Sequence, residues 1–350
     1  MIVSSVVIFV LVLGLLVFVH ELGHFLTAKL VGIRVEEFAF GFPPRLVSVV
    51  KRGTRYSING VPLGGYVRLL GEEGHSRDKR AYSQKPPLQR LLVIVAGVLM
   101  NFLVAWVLLT LWFGITIAHP PMNAVVVGQV LKNSAADQAG LITGDLVISA
   151  DHARLTSAND LARFTKDHAG MPVQFVVRRF GKNVTKMIIL RAAPAPLGIA
   201  PIDLGILPEG LVVWQAPWYA ITELWGIIVT NIVFIGHVLA SLGHGTTVEG
   251  EVSGPVGIYG FLSQMVSLGP LYLTRFVANL SLLIGFFNIL PIPALDGGKA
   301  LFVAAELVSR RKIVREHVER AIHFGGFVVL MGILVIITYH DIIRFVTRRL

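Results

Sequence analysis

Residues 2–24 read IVSSVVIFVLVLGLLVFVHELGH, and this stretch decides the fold. No charged residue precedes His20, and a helix of about 20 apolar residues crosses the ~30 Å hydrocarbon core of a bilayer. We therefore expect a first transmembrane helix over residues 1–30 that carries His20, Glu21 and His24 near its end. The amino terminus lacks the basic region and the cleavage site of a signal peptide, so we expect this span to be retained.

The composition of the whole chain indicates a polytopic membrane protein. Of its 350 residues, 54% are hydrophobic and only 15% are charged, and the mean hydropathy is +0.71. The formal net charge of +10 comes largely from two basic clusters, between Lys29 and Arg90 and between Arg310 and Arg320, which flank apolar runs. This distribution is typical of cytoplasmic loops, so the expected partner is the lipid bilayer and no nucleic acid. The chain has no cysteine, which leaves histidine and carboxylate as the strong metal ligands.

The predicted fold is a polytopic α-helical membrane protein with about four transmembrane helices, a membrane-associated β-element and one extracytoplasmic α+β domain. The predicted segments after the first helix are a cytoplasmic-side loop with the β-element (31–90), a second transmembrane helix (91–118), the α+β domain (122–200), a peripheral amphipathic segment (201–270), a third transmembrane helix (271–298), a cytoplasmic loop (299–320) and a fourth transmembrane helix (321–340).

The β-element is predicted from residues 56–70, YSINGVPLGGYVRLL. Asn59-Gly60 is a hairpin turn signal, and Pro62 with Gly64-Gly65 excludes a regular helix. These short strands either dip into the membrane or form an ordinary cytoplasmic hairpin.

The α+β domain is predicted from a change to soluble-like sequence. Alternating runs at 124–130, 173–178 and 185–190 predict strands, and residues 157–167 predict a helix capped by Ser157 and Asp160. The phrase NSAADQAGLITGDLVI, residues 133–148, resembles the signature of bacterial PDZ domains, so we expect a PDZ domain over 122–200.

The segment HELGH places two imidazoles four residues apart, on one face of a helix. Two such side chains can hold one zinc ion, and the glutamate after the first histidine can activate water. A catalytic zinc site has three protein ligands, and the best third candidate is Asp296 in NILPIPALDGG, residues 288–298. Asp296 and His20 each follow a long uncharged run, so both reach similar depths if their spans enter the membrane from the same side.

Taken together, these motifs resemble the site-2 protease family, in particular bacterial members with a single PDZ domain. The matching elements also include NGVPLGGYV (59–67) and SGPVG (253–257), and they cover nearly the whole chain in the family's order. The resemblance implies an intramembrane zinc metalloendopeptidase of the bacterial inner membrane, with its active site near the cytoplasmic side. Its substrates would be single-pass membrane proteins already trimmed by another protease, such as anti-sigma factors or remnant signal peptides.

The resemblance also implies roles for individual residues. Asp296 would be the third zinc ligand, Asn288 would contact substrate, and a reentrant β-element including Gly64, Gly65 and Tyr66 would pair with an unwound substrate. One departure concerns the second span, where the family often has Gly-Pro and this chain has Gly97-Val98, so the local shape of that helix is open.

Several alternatives remain open on the sequence. A PDZ-bearing scaffold or a membrane metal carrier would have no use for Glu21, and a peptidase with a glutamate as third ligand would need one of Glu223, Glu249, Glu251 or Glu306. Asn101 could bind substrate or join helices. The remaining histidines have no partner at ligand spacing and are interpreted as non-catalytic: His75, His119, His152, His168, His237, His244, His317, His323 and His340.

The charge pattern predicts a topology. The loop after the first span is basic, so that span runs from outside to inside, and the α+β domain lies outside. Residues 218–242 are apolar enough to cross but are expected not to, because a crossing there would leave Asp296 on the wrong face. Residues 310–320 are then cytoplasmic.

Overall fold

The computed structural model describes residues 2–72, 74, 76–118, 124–142, 144–179, 182–192, 195–204, 212–244, 254–312 and 314–347. The chain forms two compact units. The first comprises Met1–Leu108, Ile221–Tyr259 and Val277–Leu350, and the second comprises Leu109–Ala220 and Gly260–Phe276. Residues named above that lie outside the described part are His75, His119, Met122, Glu249, Glu251 and Ser253.

The helices of the described residues are α1 (Ile2–Leu30), α2 (Pro87–Ala118), α3 (Ala135–Gln138), α4 (Ala158–Asp167), α5 (Ala216–His244), α6 (Pro255–Leu268), α7 (Pro270–Ile289), α8 (Asp296–Ser309) and α9 (Glu316–Thr347). The strands are β1 (Val35–Lys51), β2 (Thr54–Leu69), β3 (Ala124–Val130), β4 (Leu146–Ala150), β5 (Ala153–Arg154), β6 (Pro172–Arg179), β7 (Lys182–Ile189) and β8 (Ile199–Leu204).

Five of these helices are long and apolar enough to cross a membrane, which identifies a multi-pass membrane protein. They lie in α1, α2, α5, α7 and α9. Four coincide with the predicted spans, and the fifth, Val213–Val238, contains most of the apolar segment 218–242. Length and hydropathy do not decide whether α5 crosses, so its position relative to the bilayer stays a prediction.

The sheet of the first unit is more elaborate than the predicted short strands. Phe38 pairs with Val67 on one side and with Tyr56 on the other, and Val49 also pairs with Tyr56. Each strand therefore bends back, and four segments lie side by side in the order 65–69, 35–40, 54–59 and 45–51. The buried Glu37 accepts hydrogen bonds from Arg45, at 2.8 Å, and from Ser57, and these contacts tie the segments together.

The turn of this hairpin is not where the sequence signal placed it. Lys51 pairs with Thr54, so the tight turn is Arg52-Gly53, where both residues have positive φ of 51° and 75°. Positive φ at both central positions is the geometry of a type I′ hairpin turn. The prediction of a turn at Asn59-Gly60 was wrong, because this dipeptide lies within β2 before the strand bends.

The sheet runs beside α1. At one end, Lys29 donates to the Thr54 hydroxyl at 2.6 Å, and at the other a Cβ at Gly14 would lie 2.7 Å from the Pro62 carbonyl oxygen. These contacts are 15 residues apart on the helix, or ~22 Å at 1.5 Å per residue. The sheet therefore follows α1 through more than half of its length.

The second unit contains an α+β core. Its sheet has the order β7-β6-β4-β3-β8, with β5 paired to β4. The three predicted strands agree with β3, β6 and β7 within a few residues, and α4 begins after Ser157, whose hydroxyl accepts from the Asp160 amide. The core is apolar and includes Phe175 and Leu161. The fully buried Asp145 is held by two hydrogen bonds from Arg179, at 2.6 and 2.7 Å.

One further segment differs from the sequence expectation, and a second makes contacts that the sequence did not predict. Residues 299–320 were expected to be a loop, but α8 occupies them as far as Ser309. In the Gly-Pro-Val-Gly segment 254–257, the Gly257 amide donates to the buried Asp341 of α9 at 2.9 Å. A Cβ at Gly254 would lie 2.7 Å from Ile337, so this close approach requires glycine.

Candidate metal centre

The HELGH residues lie on α1, well inside the span Ser5–Leu30. Because four residues make about one helical turn, His20 and His24 project from the same face. Their Nε2 atoms are 3.2 Å apart and their rings are nearly perpendicular, at 81°. Both side chains are largely buried, with exposed fractions of 7% and 12%.

Asp296 completes a triangle with the two imidazoles. Its Oδ2 lies 2.8 Å from Nε2 of His20 and 3.2 Å from Nε2 of His24. Tetrahedral zinc bonds of about 2.0–2.1 Å put ligand atoms roughly 3.3 Å from each other. The three atoms converge at close to this spacing, and imidazole and carboxylate are ligands that zinc accepts, so these residues fit a zinc ion.

The other ring nitrogens also have partners, and these were not anticipated from the sequence. Nδ1 of His24 donates to the Val93 carbonyl at 2.7 Å, which leaves its Nε2 lone pair free for a metal. Nδ1 of His20 lies 3.2 Å from the side-chain amide of Asn101, whose Oδ1 is buried with no partner among the described residues. Amide oxygen and nitrogen are exchangeable by rotation. With the oxygen toward His20, Nδ1–H donates to Asn101, and Nε2 is again free.

Asn101 therefore contacts a candidate metal ligand, beyond the helix-joining role that the sequence left open. Its backbone carbonyl also accepts a hydrogen bond from Ser281 of α7, at 2.9 Å. A polar residue in the middle of an apolar span was the available signal, and its partner could not be read from α2 alone.

Glu21 lies beside the imidazoles and is held by the sheet. Ligand atoms of His20, Glu21 and His24 all lie within 4.8 Å of one another. The Val67 amide of β2 donates to the Glu21 carboxylate at 3.0 Å. The outer strand segment 65–69 and the carboxylate are thus fixed relative to each other.

Glycines allow α1 and α2 to meet at the site. A Cβ at Gly23 would lie 2.3 Å from the Ala96 carbonyl oxygen, and a Cβ at Gly97 would lie 2.4 Å from Nε2 of His24 and 2.8 Å from Cε1 of His20. Val98 in place of the family's proline leaves α2 uninterrupted from Pro87 to Ala118. The local shape of the second span that the sequence left open is therefore a continuous helix.

The turn between α7 and α8 delivers Asp296. The helix α7 ends at Ile289, and Asp296 is the first residue of α8. A Cβ at Gly297 would lie 2.1 Å from the Leu290 carbonyl oxygen, so no side chain fits there. The glycine pair of the motif is required by this tight backbone packing.

The residues expected to bind substrate occupy two places. Gly65 is next to Glu21, since a Cβ there would lie 3.7 Å from Cγ of that residue, and Gly64 has φ of +135°. Tyr66 stacks on Phe42, with ring centroids 6.5 Å apart. The Asn288 side chain instead donates to the Ile284 carbonyl of its own helix, at 2.9 Å.

A cavity of about 1190 Å³ adjoins the outer strand segment of the sheet. Residues 66–69 line one side, and α8 and α9 line another. Two ion pairs belong to its wall, Lys299 with Glu72 at 2.8 Å and Arg90 with Glu306 at 2.6 Å. The Glu72 carboxylate raises the pKa of the Lys299 ammonium above its usual range, so this lysine stays charged. The pairing with Arg90 also engages Glu306, which had been considered as an alternative third ligand.

Comparison with known proteins decides the family. The model of peptidase family M50 matches residues 8–333, which include both histidines and Asp296. The chain belongs to peptidase family M50. Zinc metalloprotease RasP of Geobacillus kaustophilus is 30% identical to this M50 peptidase over 431 residues, covering 98% of each chain. Regulator of sigma-W protease RasP of Bacillus subtilis is 29% identical over 433 residues, covering 98% of this chain and 99% of that protein.

A Fusobacterium nucleatum protein provisionally named a zinc metalloprotease is 33% identical over 347 residues, covering 95% of this M50 peptidase and 97% of the relative. Family and relatives agree on one activity. The M50 peptidase described here is a zinc metalloprotease, and its cofactor is Zn²⁺.

Proposed function

We propose that this M50 peptidase is an intramembrane endopeptidase that cuts transmembrane segments of single-pass membrane proteins. The observation that supports this most strongly is the convergence of His20, His24 and Asp296 within the length of a candidate span. Ionisable side chains at membrane depth are costly and usually functional. A buried zinc site in α1 gives these residues a reason to be there.

In this proposal His20, His24 and Asp296 hold the zinc ion, and Glu21 is the general base. Bound zinc supplies Lewis acidity, which polarises a carbonyl and makes water more acidic. Glu21 takes the proton from the attacking water and passes it to the leaving amine. Its hydrogen bond from Val67 keeps the carboxylate facing the three ligands during both transfers.

The sheet is proposed to present the substrate. A transmembrane helix hides its carbonyls in its own hydrogen bonds, so the substrate must unwind before cleavage. The segment 65–69 is an outer segment of the sheet, and an extended peptide can add to such an edge. Gly64, Gly65 and Tyr66 would then lie along the bound peptide, and Asn288 would contact it from α7. The contact between Glu21 and Val67 would place the scissile bond near the base.

The identity of the extracytoplasmic domain, the membrane and the orientation of the protein are proposed as the sequence predicts them. Residues 122–200, which belong to the second unit, are proposed to be an extracytoplasmic PDZ domain. The protein is proposed to lie in the bacterial inner membrane with its active site toward the cytoplasmic side. His20 and Asp296 lie at one depth because their side chains are 2.8 Å apart. The helix α6 has 14 residues, ~21 Å, which is too short to cross. A crossing by α5 alone would therefore separate the two ligands, and we infer that α5 does not cross.

The PDZ domain is proposed to control access rather than to catalyse. A folded domain of about 80 residues has a radius of gyration near 12 Å, so it can exclude bulky ectodomains by size. Such a filter suits substrates already trimmed by another protease. Capture of a new carboxyl terminus in the PDZ groove is the alternative. Replacing residues 122–200 by a short flexible linker makes intact substrate cleavable under size exclusion and slows cleavage of trimmed substrate under capture.

The variant Glu21→Gln tests the catalytic proposal. Purified wild-type protein is expected to hold one zinc ion per chain and to cut a single-pass test substrate. Glu21→Gln is expected to keep the zinc and lose cleavage, whereas Asp296→Ala loses the zinc. Cleavage by Glu21→Gln at the wild-type rate would refute the base assignment. Trapping of membrane proteins by Glu21→Gln, followed by mass spectrometry, would then identify the natural substrates.

A further inference from the structure

The turn that delivers Asp296 contains an unfavourable backbone conformation. Ala294, two residues before the carboxylate, has φ of +79°. A residue with a Cβ loses roughly 1–2 kcal/mol in the left-handed region, which is why such positions favour glycine. This alanine therefore needs support from outside the turn if Asp296 is to stay where the imidazoles meet it.

The support comes from α9. The Ala294 amide donates to Nδ1 of His323 at 3.0 Å. The same helix packs closely on the turn at Gly326. A Cβ at this position would lie only 2.4 Å from Cβ of Pro293. On the α8 side, the His323 ring stands edge-on to Phe302, with centroids 5.7 Å apart.

The hydrogen bond fixes the tautomer of His323. Because Nδ1 accepts from an amide, the ring proton of the neutral imidazole is on Nε2. That Nε2 is buried and has no partner within the part of the chain that the structure describes. Leaving a buried donor unpaired is costly. The hydrogen bond from the Ala294 amide to Nδ1 therefore orients the ring, and no described partner of Nε2 does so.

We propose that His323 is a positioning residue for Asp296. It holds the Ala294 turn in its left-handed conformation and thereby places the carboxylate between His20 and His24. The inference rests on the proposed zinc ligands and assigns a task to a histidine that sequence reasoning had set aside. The residue touches neither the three ligand atoms nor Glu21 in any described contact, so its effect passes through the backbone of the turn.

Three substitutions at position 323 separate the hydrogen bond from the ring. In His323→Asn the amide oxygen takes the place of Nδ1, in His323→Gln the amide reaches the place of Nε2, and His323→Phe keeps a ring without an acceptor. Zinc affinity of the full-length protein in detergent is measured by competition with a chromophoric chelator. His323→Gln and His323→Phe are expected to bind zinc about 10–100-fold more weakly, the range for residues that orient a ligand. His323→Asn is expected to stay within about threefold of wild type.

A second substitution tests the path through the turn. Glycine adopts positive φ without strain, so Ala294→Gly is expected to restore at least about tenfold of the zinc affinity lost in His323→Phe. His317→Phe, at an exposed position on α9, is the matched control and is expected to leave zinc affinity unchanged. Size-exclusion profiles and melting temperatures verify that each variant is folded.

These measurements distinguish failure of the role proposed for His323 from failure of the proposed zinc site. Wild-type zinc affinity in folded His323→Phe, with weak binding in Asp296→Ala, overturns the role of His323 alone. A folded His323→Asn as weak as His323→Phe also overturns it, because an acceptor in the place of Nδ1 would then not be enough to hold the turn. Wild-type affinity in Asp296→Ala overturns the proposed metal site together with this inference.

Discussion

Gly97 offers the sharpest test of the metal centre, because a methyl group at this position would meet both imidazoles. In Gly97→Ala the new Cβ would lie 2.4 Å from Nε2 of His24 and 2.8 Å from Cε1 of His20. Ordinary contacts of a Cβ begin at 3.4 Å. One ring must therefore move by about 1 Å, or the helices must separate. Separation is resisted because α1 and α2 are already in backbone contact at Gly23.

The expected loss of zinc affinity follows from the small range of ligand distances that a zinc site tolerates. Ligand distances in working sites lie within about 0.2 Å of their ideal values. A displacement of about 1 Å removes one imidazole from the coordination sphere. We expect zinc affinity to fall by at least about 100-fold, or ~2.8 kcal/mol at ~1.4 kcal/mol per factor of ten. The same substitution is expected to stabilise the helix itself, because replacing glycine by alanine in a helix gains up to ~1 kcal/mol of folding free energy.

The assay is zinc competition and substrate cleavage on purified Gly97→Ala, with Gly114→Ala as control. Gly114 lies on the same helix, and the nearest atom to its Cβ would be 3.9 Å away, so Gly114→Ala is expected to bind zinc as wild type does. Both variants gain the same propensity, which cancels in the comparison. Equal zinc affinity and cleavage in the two variants would refute the close approach of α2 to the imidazoles.

Further outcomes are expected elsewhere in the chain. Asn101→Leu is expected to weaken zinc binding about 10–100-fold in chelator competition, because His20 loses the group that orients it. Arg179→Leu leaves the buried Asp145 without its ion-pair partner and is expected to destabilise the second unit by ~3–5 kcal/mol, seen as faster proteolysis. Arg178→Leu, next to it, is expected to change little. A thiol introduced at Ser309 is expected to be labelled only from the cytoplasmic side, and labelling from outside contradicts the topology. Chelation of zinc is expected to stop cleavage of a single-pass substrate, and added zinc to restore it.

The sequence by itself determined the membrane helices and the residue types of the site. Hydropathy and helical period are local properties, so the span of α1 and the shared face of His20 and His24 follow from residues 2–24 alone. Three of the six strands that the structure describes in the second unit, β3, β6 and β7, and its capped helix were predicted for the same reason. The pairing of Asp296 with this face was proposed from matching depths, and the structure places its carboxylate within 3.2 Å of both imidazoles.

Only the tertiary structure decided how the strands pair and how the residues of the metal centre are oriented. The Asn59-Gly60 signal misplaced the hairpin turn, since the pairing of four strand segments, and not a dipeptide, sets where the chain reverses. The contacts of Asn101 with His20 and of His323 with Ala294 join different helices, and no spacing along one helix encodes them. Zinc chemistry restricts the residue types at such a site. Their orientation depends on packing between segments far apart in the chain, such as α1 and α8, where His20 and Asp296 are 276 residues apart.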